Sequence, residues 1–156
     1  MVVRLLQPWY ENAGKRIVKN PKLYFLDSGF FHFFQGIRSL AELQSHPRLG
    51  ASWEGFAMEE IRKALEGDGR DHYFWATHGG AELDLSIMAS GKRIGFEFKY
   101  ADAPRLSPSM LIASKDLGLD ILKVVVPSGP RYFLRESIEV VALSDLIQDL
   151  IGQTLT

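Results

Sequence analysis

The sequence predicts an α/β domain with a mixed central sheet flanked by helices, and three observations support that fold class. Two apolar runs of strand length, 82–88 and 93–100, flank a glycine-containing turn and predict an antiparallel hairpin. Apolar residues at helical spacing precede them over 53–65. A second helix over 108–117 leads into the continuous apolar run 121–126, which predicts a buried strand reached by a crossover.

Composition places the chain among ordinary globular domains. It has 156 residues, of which 46% are hydrophobic and 24% are charged, so we expect one packed domain with at most a short appendage. The chain has no cysteine, which excludes disulfides and thiolate metal sites. No apolar run reaches spanning length and the first ten residues have no signal-peptide pattern, so the sequence predicts a cytoplasmic protein without a membrane partner.

Charge is unevenly distributed along the chain. The net charge is −1, but residues 1–22 carry a local net of +4 and residues 136–156 a local net of −4. The basic stretch would suit a polyanion such as nucleic acid, but charge alone favours the alternative of a solvated surface.

The opening segment has too few apolar residues to form a core of its own. It begins abruptly in a strand and suggests the end of a domain whose beginning is missing, so we divide the chain into 1–45 and 46–156. The elements predicted in it are strands over 2–6, 16–18 and 23–26 and short helices over 29–34 and 40–44.

The helix predicted over 53–65 carries acidic residues where apolar ones are expected. Ser52 is its predicted N-cap. Glu54 and Glu60 fall on or at the edge of the apolar face, whereas Glu59 points away from it. A carboxylate that faces a core is costly unless it is paired, hydrogen-bonded or metal-bound, so both are candidate site residues. An edge position that reaches water is the alternative.

The hairpin has one apolar and one charged face. Leu83 and its alternate neighbours share the apolar face, and the antiparallel pairing brings Asp84, Glu97 and Lys99 together on the other. Two carboxylates, with the backbone carbonyl of Phe98 as a third ligand, offer the oxygen ligands that Mg²⁺ or Mn²⁺ requires. Lys99 could then orient or help deprotonate a water that attacks a phosphodiester. An ordinary polar sheet face with Glu–Lys pairing is the alternative.

The rest of the sequence gives no competing chemistry. The pair Gly14-Lys15 lacks the glycine at 9 and the hydroxyl at 16 that a phosphate-binding loop requires. No histidine pair has zinc spacing and no GxSxG elbow occurs. The carboxy-terminal part predicts edge strands over 131–134 and 138–141 and a last helix capped by Ser144.

The order of these residues resembles the PD-(D/E)XK nuclease superfamily. A helix glutamate, a strand aspartate and E-x-K on the next strand, followed by a helix and a strand, form its motif. The resemblance implies that Glu54 is the helix acid, that Asp84 and Glu97 are metal ligands, and that Lys99 is the catalytic lysine.

A closer resemblance covers most of the chain. The segments KLYFLDSGFFHFF, LGASWEGFAMEEI, FWATHGGAELDLSI and GFEFKY resemble the carboxy-terminal domain, of unknown function, of prokaryotic AAA-type ATPases. This implies that residues 1–45 are the tail of a winged-helix-like segment with a linker, and that 46–156 form a restriction-endonuclease-like domain. An upstream ATP-binding module is then expected as a partner. In this family Glu54 and Glu60 both have counterparts in the helix pattern.

Together these resemblances imply Mg²⁺-dependent hydrolysis of DNA phosphodiesters. One alternative is a non-catalytic DNA-binding or regulatory module that keeps its carboxylates for structure. The other is a protein-interaction domain or homodimer, for which the aromatic segment 24–34 would suit an interface.

Overall fold

The computed structural model describes residues 2–9, 20–65 and 71–152, and these form eight strands and five helices. The strand predicted over 16–18 lies outside them. In chain order the elements are β1 Val3–Pro8, β2 Lys22–Phe25, α1 Ser28–Phe34, α2 Leu40–Ser45, α3 Leu49–Ala64, β3 His72–Ala76, β4 Glu82–Ala89, β5 Lys92–Phe98, α4 Pro108–Asp116, β6 Ile121–Val126, β7 Tyr132–Arg135, β8 Ile138–Ala142 and α5 Leu143–Ile151.

The strands form a single mixed sheet in the order β2-β1-β3-β4-β5-β6-β8-β7. The pairs β1/β2, β3/β4, β4/β5 and β7/β8 are antiparallel. The pairs β1/β3, β5/β6 and β6/β8 are parallel. Helix α4 makes the crossover from β5 to β6. The predicted α/β class, with a mixed sheet flanked by helices, is therefore confirmed.

Two apolar cores lie on opposite faces of the sheet. Helices α3 and α5 cover one face, and α4 covers the other. Strand β6 contributes to both cores, because successive side chains of a strand alternate between faces: Val125 packs with α3, whereas Leu122 and Val124 pack with α4. This explains why the run 121–126 is continuously apolar.

One predicted turn and one predicted helix cap are confirmed. The β4–β5 turn uses Ser90 and Gly91 at φ of 51° and 76°, which is the left-handed region that a tight hairpin requires. Helix α4 starts with Pro108, and the Ser107 side chain accepts the N–H of Met110 at 3.3 Å.

Three predictions from the sequence are wrong. Ser52 is not the N-cap of α3, because the helix begins at Leu49 and the Ser52 hydroxyl lies 2.7 Å from His32 Nε2. Ser144 is not the N-cap of α5, which begins at Leu143. Strand β8 is not an edge strand: it lies between β6 and β7, and all five of its residues are buried.

Strands β1 and β2 extend the sheet beyond β3, so residues of the opening segment lie beside the rest of the chain. The boundary between 45 and 46 stays a prediction. Among residues 2–9, 20–65 and 71–152, none of the helices is long and apolar enough to span a membrane.

Candidate functional site

The alternation of strand β4 breaks at Asp84. Leu83 packs in the core beside α4, whereas Leu85, two residues later, packs in the core beneath α3. The prediction that Leu83 shares a face with Leu85 is therefore wrong. The residue pairing between β4 and β5 begins with Leu85 opposite Phe96, next to this break. The side chain of Asp84 turns to β5, where its Oδ2 accepts the backbone N–H of Phe98 at 3.0 Å.

Glu97 and Lys99 form an ion pair at the end of β5. Lys99 Nζ lies 2.7 Å from Glu97 Oε1, with the carboxylate buried and the ammonium more exposed. The two residues are separated by one position, so they leave the strand on the same side. This part of the predicted charged face is present.

Helix α3 places Glu54 at the same site. The helix is held on the sheet by fully buried residues such as Ala57 and Ile61. Glu54 Oε1 accepts the hydroxyl of Tyr24 at 2.5 Å. Glu60, the other candidate helix acid, instead pairs with Lys63 at 2.7 Å on the outer side of the helix.

A third glutamate of α3 was predicted wrongly. Glu59 does not point away from the core but is buried, and its Oε1 lies 2.8 Å from Arg4 Nε of β1. Arg62, one turn along the helix, lies 4.0 Å from the same oxygen. The ion pairs offset the burial of the carboxylate, and they tie α3 to β1.

Three residues at the site, two from β2 and Glu82 from β4, were not identified from the sequence. Strand β2 contributes Lys22, whose Nζ lies 3.3 Å from Glu54 Oε1 and 3.5 Å from Asp84 Oδ1. The same ammonium also pairs with Glu82. Tyr24, two positions along the strand, shares this face. The period-2 pattern of 22–25 was a signal for their common face, but it does not say which carboxylates that face meets.

We define the acidic cluster as Glu54, Glu82, Asp84 and Glu97. A cleft of about 340 Å³ lies beside it, and Glu54 is the member of the cluster that lines this cleft. The cleft lies between β2, α1 and α3. Its walls are largely apolar, and Lys22 and Glu54 belong to both the cleft and the site. Such an arrangement is typical of a binding site, because apolar walls exclude water and a few polar groups fix orientation.

Burial and mutual repulsion set the protonation of the strand carboxylates. Burial raises the pKa of Asp84 to about 7, and the charges of Glu97 and Glu54 add to the effect. Lys22 and the Phe98 N–H oppose it. Burial also raises the pKa of Glu97, although the hydrogen bond from Lys99 acts against that shift.

Both lysines keep their charge at neutral pH. Burial acts to lower the pKa of Lys22, but the carboxylates of Asp84 and Glu54 outweigh it and hold that pKa above its ordinary value. The pKa of Lys99 is also raised, because Glu97 outweighs the effect of burial. Lys99 is therefore suited to orienting or stabilising negative charge rather than to accepting a proton.

The donor atoms at this site fit a hard divalent cation in kind. Carboxylate oxygens of Glu54 and Asp84 already converge on a positive charge, the ammonium of Lys22. As the side chains stand, however, no three histidine, aspartate or glutamate residues are arranged to hold a metal ion in the part of the chain that the structure describes. The oxygens are arranged around a lysine, at distances that suit an ammonium.

Comparison with known sequences finds two similar mycobacterial proteins. It is 40% identical over 147 residues to Uncharacterized protein Rv2008c of Mycobacterium tuberculosis and to Uncharacterized protein Mb2031c of Mycobacterium bovis. The match covers 94% of this chain and 33% of each relative, so the chain spans about a third of their length. No solved structure matches it significantly.

Two sequence families match separate parts of the chain. Residues 1–41 match the family described as Domain of unknown function (DUF8612), and this part supplies Lys22 and Tyr24. Residues 49–146 match the family described as Domain of unknown function (DUF4143), which supplies the acidic cluster and Lys99. Because the second match covers more than half of the sequence, the chain belongs to the DUF4143 family.

Proposed function

We propose that the acidic cluster and Lys99 form a PD-(D/E)XK-type nuclease site that hydrolyses DNA phosphodiesters with Mg²⁺ or Mn²⁺. The observation that carries the proposal is the convergence of Glu54 and Asp84, from a helix and a strand, on one positive charge beside the Glu97–Lys99 pair. A restriction-endonuclease-like core is part of the proposal, and the mixed sheet with helices on both faces supports it.

Each residue has a distinct role in this proposal. Glu54, Asp84, Glu97 and the Phe98 carbonyl would hold the metal, which when bound supplies charge neutralisation and an activated water. The Phe98 N–H holds Asp84 in place through Oδ2, so that Oδ1 stays directed at the site. Lys99, kept charged by Glu97, would orient a phosphate oxygen and stabilise the negative charge that develops there.

Substitutions of the proposed metal ligands, compared with a control substitution on helix α3, give a direct test. Calorimetric titration with Mn²⁺ is expected to detect binding to the wild type and to Glu60→Gln, but not to Asp84→Asn or Glu97→Gln. Glu54→Gln should weaken binding by at least about tenfold, because even groups that only orient metal ligands are worth about 10–100-fold. Glu60→Gln is the matched control, since Glu60 lies on the same helix and pairs with Lys63 outside the site.

Cleavage is measured on linear, single-stranded and branched DNA with Mn²⁺. Lys99→Ala is expected to reduce the rate by about 10²–10³, the usual effect of removing one group that stabilises transition-state charge. If the wild type binds no divalent metal, or if Asp84→Asn binds it equally well, the nuclease proposal is wrong. DNA affinity that survives these variants and weakens with salt would instead indicate a non-catalytic DNA-binding or regulatory module.

The proposal also includes a partner module and a cellular location for this domain. The curated relatives are about three times as long as the matched region, which leaves room for a further module. We propose that this chain works with an upstream ATP-binding module of the AAA type, in the cytoplasm, and that the module directs the nuclease site to DNA.

A protein-interaction role is the second candidate, and exposed aromatic residues favour it. Helix α1 exposes Phe33 to 76% and Phe34 to 66%, an unusual amount of aromatic surface for a seven-residue helix. A second copy of the chain is the proposed occupant. Sedimentation velocity should show dimers that Phe33→Ser weakens while Mn²⁺ binding is unchanged. A wild type that stays monomeric at all concentrations would contradict this candidate.

A further inference from the structure

Lys22 occupies the centre of the acidic cluster. It comes from β2, in the part of the chain matched by a different sequence family from the rest of the site. Its ammonium lies 3.3 Å from Glu54 Oε1 and 3.5 Å from Asp84 Oδ1, and it pairs with Glu82 as well. The side chain of Lys22 is 24% exposed.

The oxygens that face Lys22 are those that a metal would use. Asp84 Oδ2 is held by the Phe98 N–H, so Oδ1 is the atom of that carboxylate that faces the cation. A Mg²⁺ ion requires oxygens at about 2.0–2.1 Å in near-octahedral geometry. An ammonium at hydrogen-bond distance from the same oxygens, carrying a charge of the same sign as the metal, excludes that arrangement. The two cations therefore compete for one position.

We propose that Lys22 is the built-in counter-cation of the acidic cluster, and that a divalent metal binds by displacing its ammonium from Glu54 and Asp84. This inference rests on the proposed function, since it requires the cluster to bind a metal. The displaced side chain can retain one of its ion pairs. Glu82 is its most exposed partner, at 40%, so Lys22 can keep that ion pair while it leaves the oxygens of Glu54 and Asp84.

The displacement makes the position of β2 a determinant of metal affinity. Among the described strands, β2 is terminal in the order β2-β1-β3 and pairs only with β1. A change at β1 or β2 that withdraws Lys22 therefore removes its ammonium from Glu54 and Asp84 without altering the carboxylates themselves.

Replacing Lys22 shows whether its ammonium competes with the metal for the carboxylates or supports metal binding. In calorimetric titration with Mn²⁺, Lys22→Met is expected to bind on the order of tenfold more tightly than the wild type, because two partly exposed ion pairs no longer have to be broken. Lys63→Met is the matched control: it removes a lysine that pairs with a glutamate of α3 outside the site, and its affinity should equal that of the wild type.

Each result has a defined meaning. If the wild type binds Mn²⁺ and Lys22→Met binds it equally or more weakly, the displacement is wrong and the proposed function stands. If neither protein binds Mn²⁺, the proposed function and the displacement are both wrong.

A measurement on the wild-type chain covers the case in which Lys22→Met does not fold. Acylation of lysines by acetic anhydride, followed by peptide mass spectrometry, reports the accessibility of each amine. Addition of Mn²⁺ should accelerate labelling of Lys22 and leave Lys63 unchanged. Labelling of Lys22 that Mn²⁺ leaves unchanged or slows would overturn the displacement.

Discussion

Two groups of charged side chains differ in the balance between positive and negative charge. Strands β6 and β8 place Lys123 directly opposite Glu139, with the ammonium 2.5 Å from Oε2 and side chains only 3% and 5% exposed. Arg131 lies 3.8 Å from the other oxygen of Glu139. In the acidic cluster, four carboxylates meet two ammonium groups among the described residues, Lys22 and Lys99.

The difference separates a structural pair from a site. At Lys123 and Glu139 each charge has its partner within the sheet, so nothing further is required to satisfy it. The acidic cluster has more negative charge than its lysines neutralise. Burial raises the pKa of Asp84, and the charges of Glu97 and Glu54 add to that shift. An excess of carboxylate in a half-buried position is costly unless a cation or a proton is added. That excess is the physical reason for assigning function to the second group.

The largest expected effect is the removal of one member of the balanced pair. Lys123→Met should lower the free energy of unfolding by about 3–5 kcal/mol, because it leaves Glu139 buried with its close partner gone. Lys22→Met should cost about 1 kcal/mol or less, since its partners are partly exposed, and one of them, Asp84, readily takes a proton. Urea unfolding of the two variants at pH 7 without metal measures the contrast.

A double variant tests whether the unpaired charge of Glu139 causes this loss of stability. The double variant Lys123→Met, Glu139→Leu should recover most of the lost stability, because both charges are gone and apolar side chains fill the space. Equal losses for Lys123→Met and Lys22→Met would mean that the two groups of charge are not different in kind.

Local patterns predicted most of the elements and the strand part of the site. The hairpin, the start of α4 and the β6 strand follow from alternation, a proline and a continuous apolar run, each of which acts within a few residues. The E-x-K spacing predicted the Glu97–Lys99 pair because residues two apart on a strand share a side. The break in alternation at Asp84 could not be read in this way, since it depends on which core each leucine enters.

What the sequence did not predict depends on contacts between distant segments. Lys22 lies 62 residues from Asp84, and only the addition of β2 to the sheet brings them together. The lysine inside the apolar run 121–126 and the glutamate in β8 were a readable signal of a buried ion pair. The register that joins them requires β8 to lie inside the sheet, whereas the sequence predicted an edge strand.

A smaller effect, of opposite sign to that at Lys123, is expected at Asp84. The native carboxyl keeps its proton up to about pH 7, whereas in the unfolded chain it loses that proton near its ordinary value of 3.8. Between these values the native state binds more protons than the unfolded state. Its stability therefore falls as the pH rises through this window, by about 2 kcal/mol between pH 5 and pH 8 in the absence of metal.

Asp84→Asn isolates this contribution, because the amide oxygen can still accept the Phe98 N–H while the charge is absent. Urea unfolding should give a flatter pH profile for Asp84→Asn and, at pH 8, a protein about 1–2 kcal/mol more stable than the wild type. Parallel profiles would show that Asp84 does not carry the excess charge. Saturating Mn²⁺ should remove the advantage of the variant, since a cation that requires the ionised carboxylate stabilises only the wild type. A carboxylate that destabilises the free protein and stabilises the metal-bound one is expected of a functional residue, and no such reversal is expected at Glu139, whose charge is already balanced.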